Sequence, residues 1–308
     1  MKFELTVLGC GSATPTLRFS PSAQIAAHGP DLFLIDCGEG TQLKLRRGGF
    51  NFQRIQHIFI SHLHGDHYLG LQGLLSTMQL LGRTKSVHIY AHPDLEELTR
   101  VQLRISKSHF RFEIHWIHLT YDGKVKIADL DRVEVYSFPL DHRIPTCGFL
   151  IREKPKQRNI IPACIEKYNI PVPRIRQIKD GADFTTEDGN VIPNRELTLD
   201  PDPLRSYAYC SDTAYAPTTA TYIQGVDLLY HESTFLNDRA DRAAKTHHST
   251  SADAARVATE AGAGKLLLGH YSARYKETEA FEAEAKNIFP ESTAAHEGLT
   301  MPVGAVKK

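Results

Sequence analysis

The chain has 308 residues, 41% of them apolar, and Lys plus Arg balance Asp plus Glu to a formal net charge of zero. That length supports one large domain or two small ones, and the neutral balance gives no whole-molecule attraction to nucleic acid. No run of about 18 apolar residues is present to span a membrane, and the opening MKFELTVLGCGSATP reads as a first strand rather than a signal peptide, so the cytoplasm is the expected compartment.

In chain order, FELTVLG (3–9) alternates with period two, and DLFLIDCG (31–38) and HIFISH (57–62) are short apolar runs ending in polar residues. VHIYAH (87–92) and RVEVYSFP (132–139) repeat that form. Between them, EGTQLKLRRGG (39–49) and LGLQGLLSTMQLLG (69–82) have helical spacing with glycine stops. Beyond residue 205 the strands SYAYCSDT (206–213), VDLLYHEST (226–234) and KLLLGHYS (265–272) alternate with helical stretches such as STSADAARVATEAG (249–262), and TEAFEAEAKNIF (278–289) follows. Strand, polar cluster, helix is the repeated unit, which predicts a single α/β domain over 1–308.

An insertion at 151–205 interrupts it. Residues 151–179 carry eight basic side chains against two acidic ones, a balance of +6, whereas 180–205 carry seven acidic against two basic, a balance of −5. Proline-punctuated and poor in apolar positions, this arm reads as a solvated loop. The cysteines Cys10, Cys37, Cys147, Cys164 and Cys210 are scattered without C-x-x-C spacing and read as buried small residues, not disulfides or a thiolate metal site.

The polar clusters fall at the C-terminal ends of strands, where open α/β sheets bind ligands. ISHLHGDHYLG (60–70) supplies His62, His64, Asp66 and His67; His142, Asp212 and His270 come from the later clusters. Five imidazoles and two carboxylates suit zinc and, less selectively, manganese or iron. Seven donors exceed one tetrahedral ion, so two ions sharing a carboxylate fit the count better. Alternation in an extended loop assigns His62 and His64 to one ion, completed by His142, and Asp66 and His67 to another, completed by His270, with Asp212 between them.

HLHGDH resembles the H-x-H-x-D-H signature of the metallo-β-lactamase superfamily, which implies a four-layer αββα sandwich with a two-metal site between the sheets. Fold alone does not choose a substrate. HEST (231–234), HHST (247–250) and GHYSARY (269–275), together with DCGEGTQ (36–42), resemble the ribonuclease Z family, endonucleases that remove 3′ trailers from precursor tRNA. The resemblance covers nearly the whole chain. It implies two Zn²⁺ per subunit, with Mn²⁺ as a possible substitute, a homodimer, and no DNA or membrane partner.

The chemistry of a phosphodiester gives these residues roles. Asp66 is the candidate general base, a role the resemblance also implies. His248 is the candidate acid for the leaving 3′-oxygen, with Glu232 keeping it oriented and charged. The products would be a tRNA 3′-hydroxyl and a trailer 5′-phosphate. Capping of the following helix by Thr250 or Ser251 is a compatible structural use of the same loop.

Ser272, Arg274 and Tyr275 would contact the acceptor stem. In place of the family's P-x-K-x-R loop stands TPTLRFSPSA, which keeps Pro15 and Arg18 and lacks the lysine. The resemblance implies that the arm grips tRNA; its Gly-Pro segment is replaced here by NIPVPRIRQIKDG, where the basic Arg174, Arg176 and Lys179 are the expected contacts. A phosphodiesterase of small or cyclic nucleotide diesters and a noncatalytic RNA-binding protein of the same fold are the alternatives.

Overall fold

The computed structural model describes residues 1–304. Residues 1–152 and those from 205 onward form one compact unit, and residues 153–204 form a second.

The larger unit contains two seven-stranded sheets. The first runs, edge to edge, Thr300–Pro302, Phe3–Gly9, Ala23–His28, Asp31–Cys37, Ile55–Phe59, Val87–Ala91 and Ile114–His118. The second runs Ser292–Ala294, Lys265–Gly269, Leu228–Glu232, Ser206–Cys210, Cys147–Glu153, Val133–Pro139 and Val125–Asp129. Each is antiparallel at one end and parallel at the other. The parallel pairs join Asp31–Cys37 through Ile114–His118 in the first sheet, and Ser206–Cys210 through Ser292–Ala294 in the second.

Period-two alternation dictates how the sheets stack. Phe3, Leu5 and Val7 point from the first strand into the space between the sheets, where Phe33 and Phe59 meet Phe149 of the second sheet, the Phe59 and Phe149 rings lying 5.5 Å apart. Each such apolar side chain contributes about 1.5–3 kcal/mol on burial. The opposite face of the first sheet buries Ile25, Leu34, Ile58 and Ile89 under Leu45 of helix Thr41–Arg47 and Leu71, Leu74, Leu75 and Met78 of helix Leu71–Leu80. The alanine-rich helix Ser251–Ala261 packs on Leu228–Glu232 and Lys265–Gly269 of the second sheet. The order helix, sheet, sheet, helix is the four-layer αββα sandwich.

Close backbone packing sets the site's main loop. A side chain at Gly70 would collide with the Gly38 carbonyl, and one at Gly38 with the Asp66 carbonyl, so two glycines let the histidine-rich loop lie directly on the end of Asp31–Cys37.

The smaller unit departs from the expected solvated loop. Helices Pro162–Lys167, Val172–Lys179 and Asn194–Leu197 and two short antiparallel strand pairs surround a core of Ile170, Ile178, Phe184 and Leu197. The polar side chains that made it look unstructured partly serve its interior: Asn194 Nδ2 donates to the Ile178 carbonyl at 2.6 Å and to the Ala182 carbonyl at 2.8 Å, and Arg158 Nε donates to Thr198 Oγ1 at 2.6 Å. All five cysteines are free thiols, four buried and Cys164 half-buried.

Candidate metal centre and active site

All seven predicted donors converge at the C-terminal ends of strands from both sheets. His62, His64, His142 and Asp212 form one group, and Asp66, His67 and His270 another. In the first, His64 Nδ1 lies 3.0 Å from His62 Nε2 and 3.2 Å from His142 Nε2, with Asp212 Oδ2 at 3.6 and 3.7 Å from the same two Nε2 atoms. In the second, Asp66 Oδ2 is 3.3 Å from His67 Nε2 and 3.4 Å from His270 Nε2, and Asp212 Oδ1 is 3.1 and 3.0 Å from those two. Asp212 thus turns one oxygen to each group.

Hydrogen bonds behind the rings fix which nitrogen faces inward. His67 Nδ1 donates to Asp36 Oδ2 at 2.6 Å, and His142 Nδ1 donates to the His247 carbonyl at 2.9 Å. Thr234 Oγ1 donates to Glu232 Oε2 at 2.6 Å and so accepts from His270 Nδ1 at 2.9 Å. Likewise Ser61 Oγ donates to Asp36 Oδ2 at 2.9 Å and accepts from His62 Nδ1 at 3.0 Å. All four Nε2 atoms therefore present lone pairs to the cluster.

This arrangement fits a metal. The Nε2 atom of His67 is buried without a hydrogen-bond partner, and lone pairs of neighbouring imidazoles face each other across about 3 Å. Such a set needs a cation among the donors. The separations match the roughly 3.3 Å edge of a tetrahedron with bonds of about 2.0–2.1 Å, and the nitrogen and oxygen composition suits a borderline divalent ion.

Charge agrees. Burial holds His62, His64 and His142 below the ordinary imidazole range, as neutral ligands. Burial also disfavours charge on Asp66 and Asp212, yet the histidines around them outweigh it and keep both carboxyls far below the usual range. His67 is the exception: against burial, Asp212, Asp66 and Asp36 raise it, so the acidic set draws positive charge onto the place where a cation would sit.

Backbone conformation is spent here. Asp36, Asp212 and His270 have φ of 54°, 57° and 61°, at or just past strand ends, and His247 has 53°. The left-handed region costs a side-chain-bearing residue on the order of 1 kcal/mol or more, a cost met where it aims a side chain.

Beside the donors lies a second pair. His248 Nδ1 donates to Glu232 Oε1 at 2.7 Å, and Glu232 also accepts from the Thr213 amide at 2.8 Å and the Thr234 amide at 3.1 Å. Burial disfavours the His248 charge, but the Glu232 carboxylate outweighs it and pushes the imidazole up to about 9, while the His248 charge holds the buried Glu232 below its ordinary range. With Nδ1 occupied, Nε2 is the nitrogen available to the cavity. The loop is anchored on both sides, by the His248 amide on the Ala243 carbonyl at 2.9 Å and by a capping box between Thr250 and Asp253.

A cavity of about 660 Å³ opens over the cluster, lined by His64, Asp66, Asp212, His248 and His270. Ser272 and Arg274 also line it. Arg18 and Tyr275 are not among its lining residues. The Arg18 guanidinium donates to the Lys276 carbonyl and to Glu277 Oε1, the latter at 2.9 Å. The Tyr275 ring packs edge-on against Phe281 at 4.9 Å, and its hydroxyl accepts from the Leu236 amide at 3.2 Å, because an apolar ring gains more from the core than from solvent. Arg174 and Arg176 stand exposed and Lys179 half-buried on the helix Val172–Lys179 of the smaller unit.

Sequence reasoning missed Asp36, Thr234, Arg143 and Arg242. Asp36 ends a strand before a glycine and Thr234 belongs to HEST; both positions were visible, but which partner each would meet depends on the opposite sheet. Arg143 and Arg242 line the cavity and carry no motif of their own.

The layers and the donor cluster define a metallo-β-lactamase-fold protein. A crystal structure of the metallo-beta-lactamase fold protein YhfI from Bacillus subtilis superposes with a TM-score of 0.69 at 20% identity, covering 98% of this chain and 100% of that one. Residues 3–130 match the family model for anti-Pycsar protein Apyc1. Ribonuclease Z of Bacteroides thetaiotaomicron is 45% identical over 302 residues, 98% of this chain and 96% of the relative. The human tRNase Z short form matches at a TM-score of 0.71 and 25% identity, over 98% of this chain and 100% of that one. The chain belongs to the ribonuclease Z family.

Proposed function

We propose that this protein is the endoribonuclease that removes the 3′ trailer from precursor tRNA, with two Zn²⁺ per subunit and Mn²⁺ as a substitute. The observation that carries the reading is the Glu232–His248 pair at 2.7 Å, standing beside the seven-donor cluster in a chain 45% identical to a ribonuclease Z over nearly its full length.

Divalent cations bound by His62, His64, His142, Asp66, His67, His270 and the shared Asp212 would supply a water-derived nucleophile at neutral pH and Lewis-acid stabilisation of phosphate oxygens. Asp66, ionised and facing the cavity, would accept a proton from the attacking water. His248, held charged by Glu232, donates from Nε2 to the leaving 3′-oxygen, which gives a tRNA 3′-hydroxyl and a trailer 5′-phosphate. Ser272 and Arg274 offer a hydroxyl and a guanidinium to the acceptor end.

In the smaller unit, Arg174, Arg176 and Lys179 bind the tRNA body electrostatically. A homodimer in the cytoplasm follows from the same reading, and no helix among the described residues is long and apolar enough to cross a membrane.

The test is cleavage of a trailer-bearing precursor tRNA by zinc-loaded protein, with product ends mapped and Asp66→Ala as control. One cut beside the discriminator base, lost in the variant, is the expected result. Hydrolysis of small chromogenic diesters with the precursor left intact would replace this reading with a general phosphodiesterase.

A further inference from the structure

Two arginines stand at the catalytic cavity without a role in the reading above. Arg143 follows the donor His142 directly, and Arg242 lies on the helix Ala240–Thr246, the element that leads into His248; both line the cavity with Arg274. Among the described residues, neither Arg143 nor Arg242 has a side-chain hydrogen bond or ion pair, although acids are close in sequence. Asp141, two positions before Arg143, is paired with His247 at 3.1 Å instead. Glu232 is committed to His248. Arg242 rests its guanidinium 6.0 Å from the centre of the Phe235 ring, another cavity-lining residue, a contact that leaves its N–H edge open.

Electrostatics makes this placement costly for the protein alone. Arg143 and Arg242 line the same cavity as His64 of one donor group and His248, the proposed acid. A guanidinium held near a site that concentrates cations is repelled unless an anion arrives. A single phosphodiester would already be engaged by the donor-bound cations and His248. The next phosphates along the strand are the anions left over, and planar guanidinium forks suit them.

We propose that Arg143 and Arg242 bind the RNA phosphates that flank the scissile one, and so select a polynucleotide strand over an isolated diester. This rests on the RNA-cleavage reading above. Arg143 and Arg242 then act in ground-state binding of the strand, and each phosphate contact releases counterion on binding.

The experiment measures kcat/KM of Arg143→Gln, Arg242→Gln and the double variant on precursor tRNA and on bis(p-nitrophenyl) phosphate, across a salt series, with metal content and Tm checked. Each single variant is expected to lose about tenfold more on the precursor than on the small diester, mainly through KM. The slope of log kcat/KM against log salt should become shallower by roughly 0.7–0.9 per arginine. Equal losses on both substrates, or an unchanged salt slope, would overturn the proposal. Failure of the wild-type protein to cut precursor tRNA while it hydrolyses the diester would instead sink the RNA reading, and the proposal with it.

Discussion

The hydroxyl of Tyr209, on the second sheet, donates at 2.6 Å to Asp36 Oδ2 on the first, the same oxygen that accepts from His67 Nδ1 at 2.6 Å. Tyr209, Asp36 and His67 are all fully buried. A contact between the sheets therefore orients a metal donor, and removing either end should be felt at the cluster. Asp36→Ala is expected to weaken metal affinity about 10–100-fold, and Tyr209→Phe to weaken it in the same direction by less. Competition with a chromogenic chelator measures both. Unaltered affinity in Asp36→Ala would show that His67 is held by packing alone.

The Glu232–His248 pair predicts a pH dependence. Without bound cations the His248 imidazole is pushed up to about 9 from an ordinary value of 6.5, so the stability it adds is fully present below about 6.5 and fades as pH rises through about 9. Cations at the adjacent donors oppose its charge, so the alkaline limb of kcat in the loaded enzyme lies below about 9. Glu232→Gln should move that limb lower still. His248→Ala should abolish it and lower kcat about 10²–10⁴-fold; a variant that keeps the wild-type limb would remove His248 from the acid role.

Chelation should lower Tm. The donors come from both sheets, so cations stabilise the folded form alone, by about 4 kcal/mol when free metal is a thousandfold above Kd. Calorimetry with and without chelator, followed by metal add-back, checks this. An apo Tm equal to that of the loaded protein would mean that the cluster holds no ion of consequence.

Thr250→Ala tests the cap beneath the loop that carries His248. Thr250 Oγ1 accepts from the Asp253 amide at 3.1 Å, and the Thr250 amide donates to Asp253 Oδ2 at 3.0 Å. The substitution should cost about 1 kcal/mol, read from urea unfolding. A larger loss in kcat than in stability would tie the cap to the position of His248.

Reversing charge at Arg174, Arg176 and Lys179 should raise KM for precursor tRNA far more than for a small diester and flatten the salt dependence. Equal loss on both substrates counts against a binding role for the smaller unit.

The α/β class, the paired donor groups and the strand-end location of the site were legible because they rest on local signals: apolar period two, and seven metal-type side chains after short strands. The strand AQIAAH at 23–28 was less visible, since five of its six residues are buried and it lacks alternation. The core of the smaller unit was hidden because four apolar residues spread over 28 positions look like background until helices and hairpins bring them together. The ion pair of Arg18 with Glu277 was likewise not legible, because the two lie 259 residues apart and such a contact leaves no local mark.

The order of the donors along the chain also bears on synthesis. His62 to His67 emerge first, but His270 arrives more than 200 residues after Asp66, and the edge strand Thr300–Pro302 that covers Phe3–Gly9 comes later still. A nascent chain accordingly carries a partial ligand set until His270 has emerged, and before then a stray cation finds only incomplete coordination. Nuclease activity can switch on only after His270 has been made and the second sheet has closed over the first.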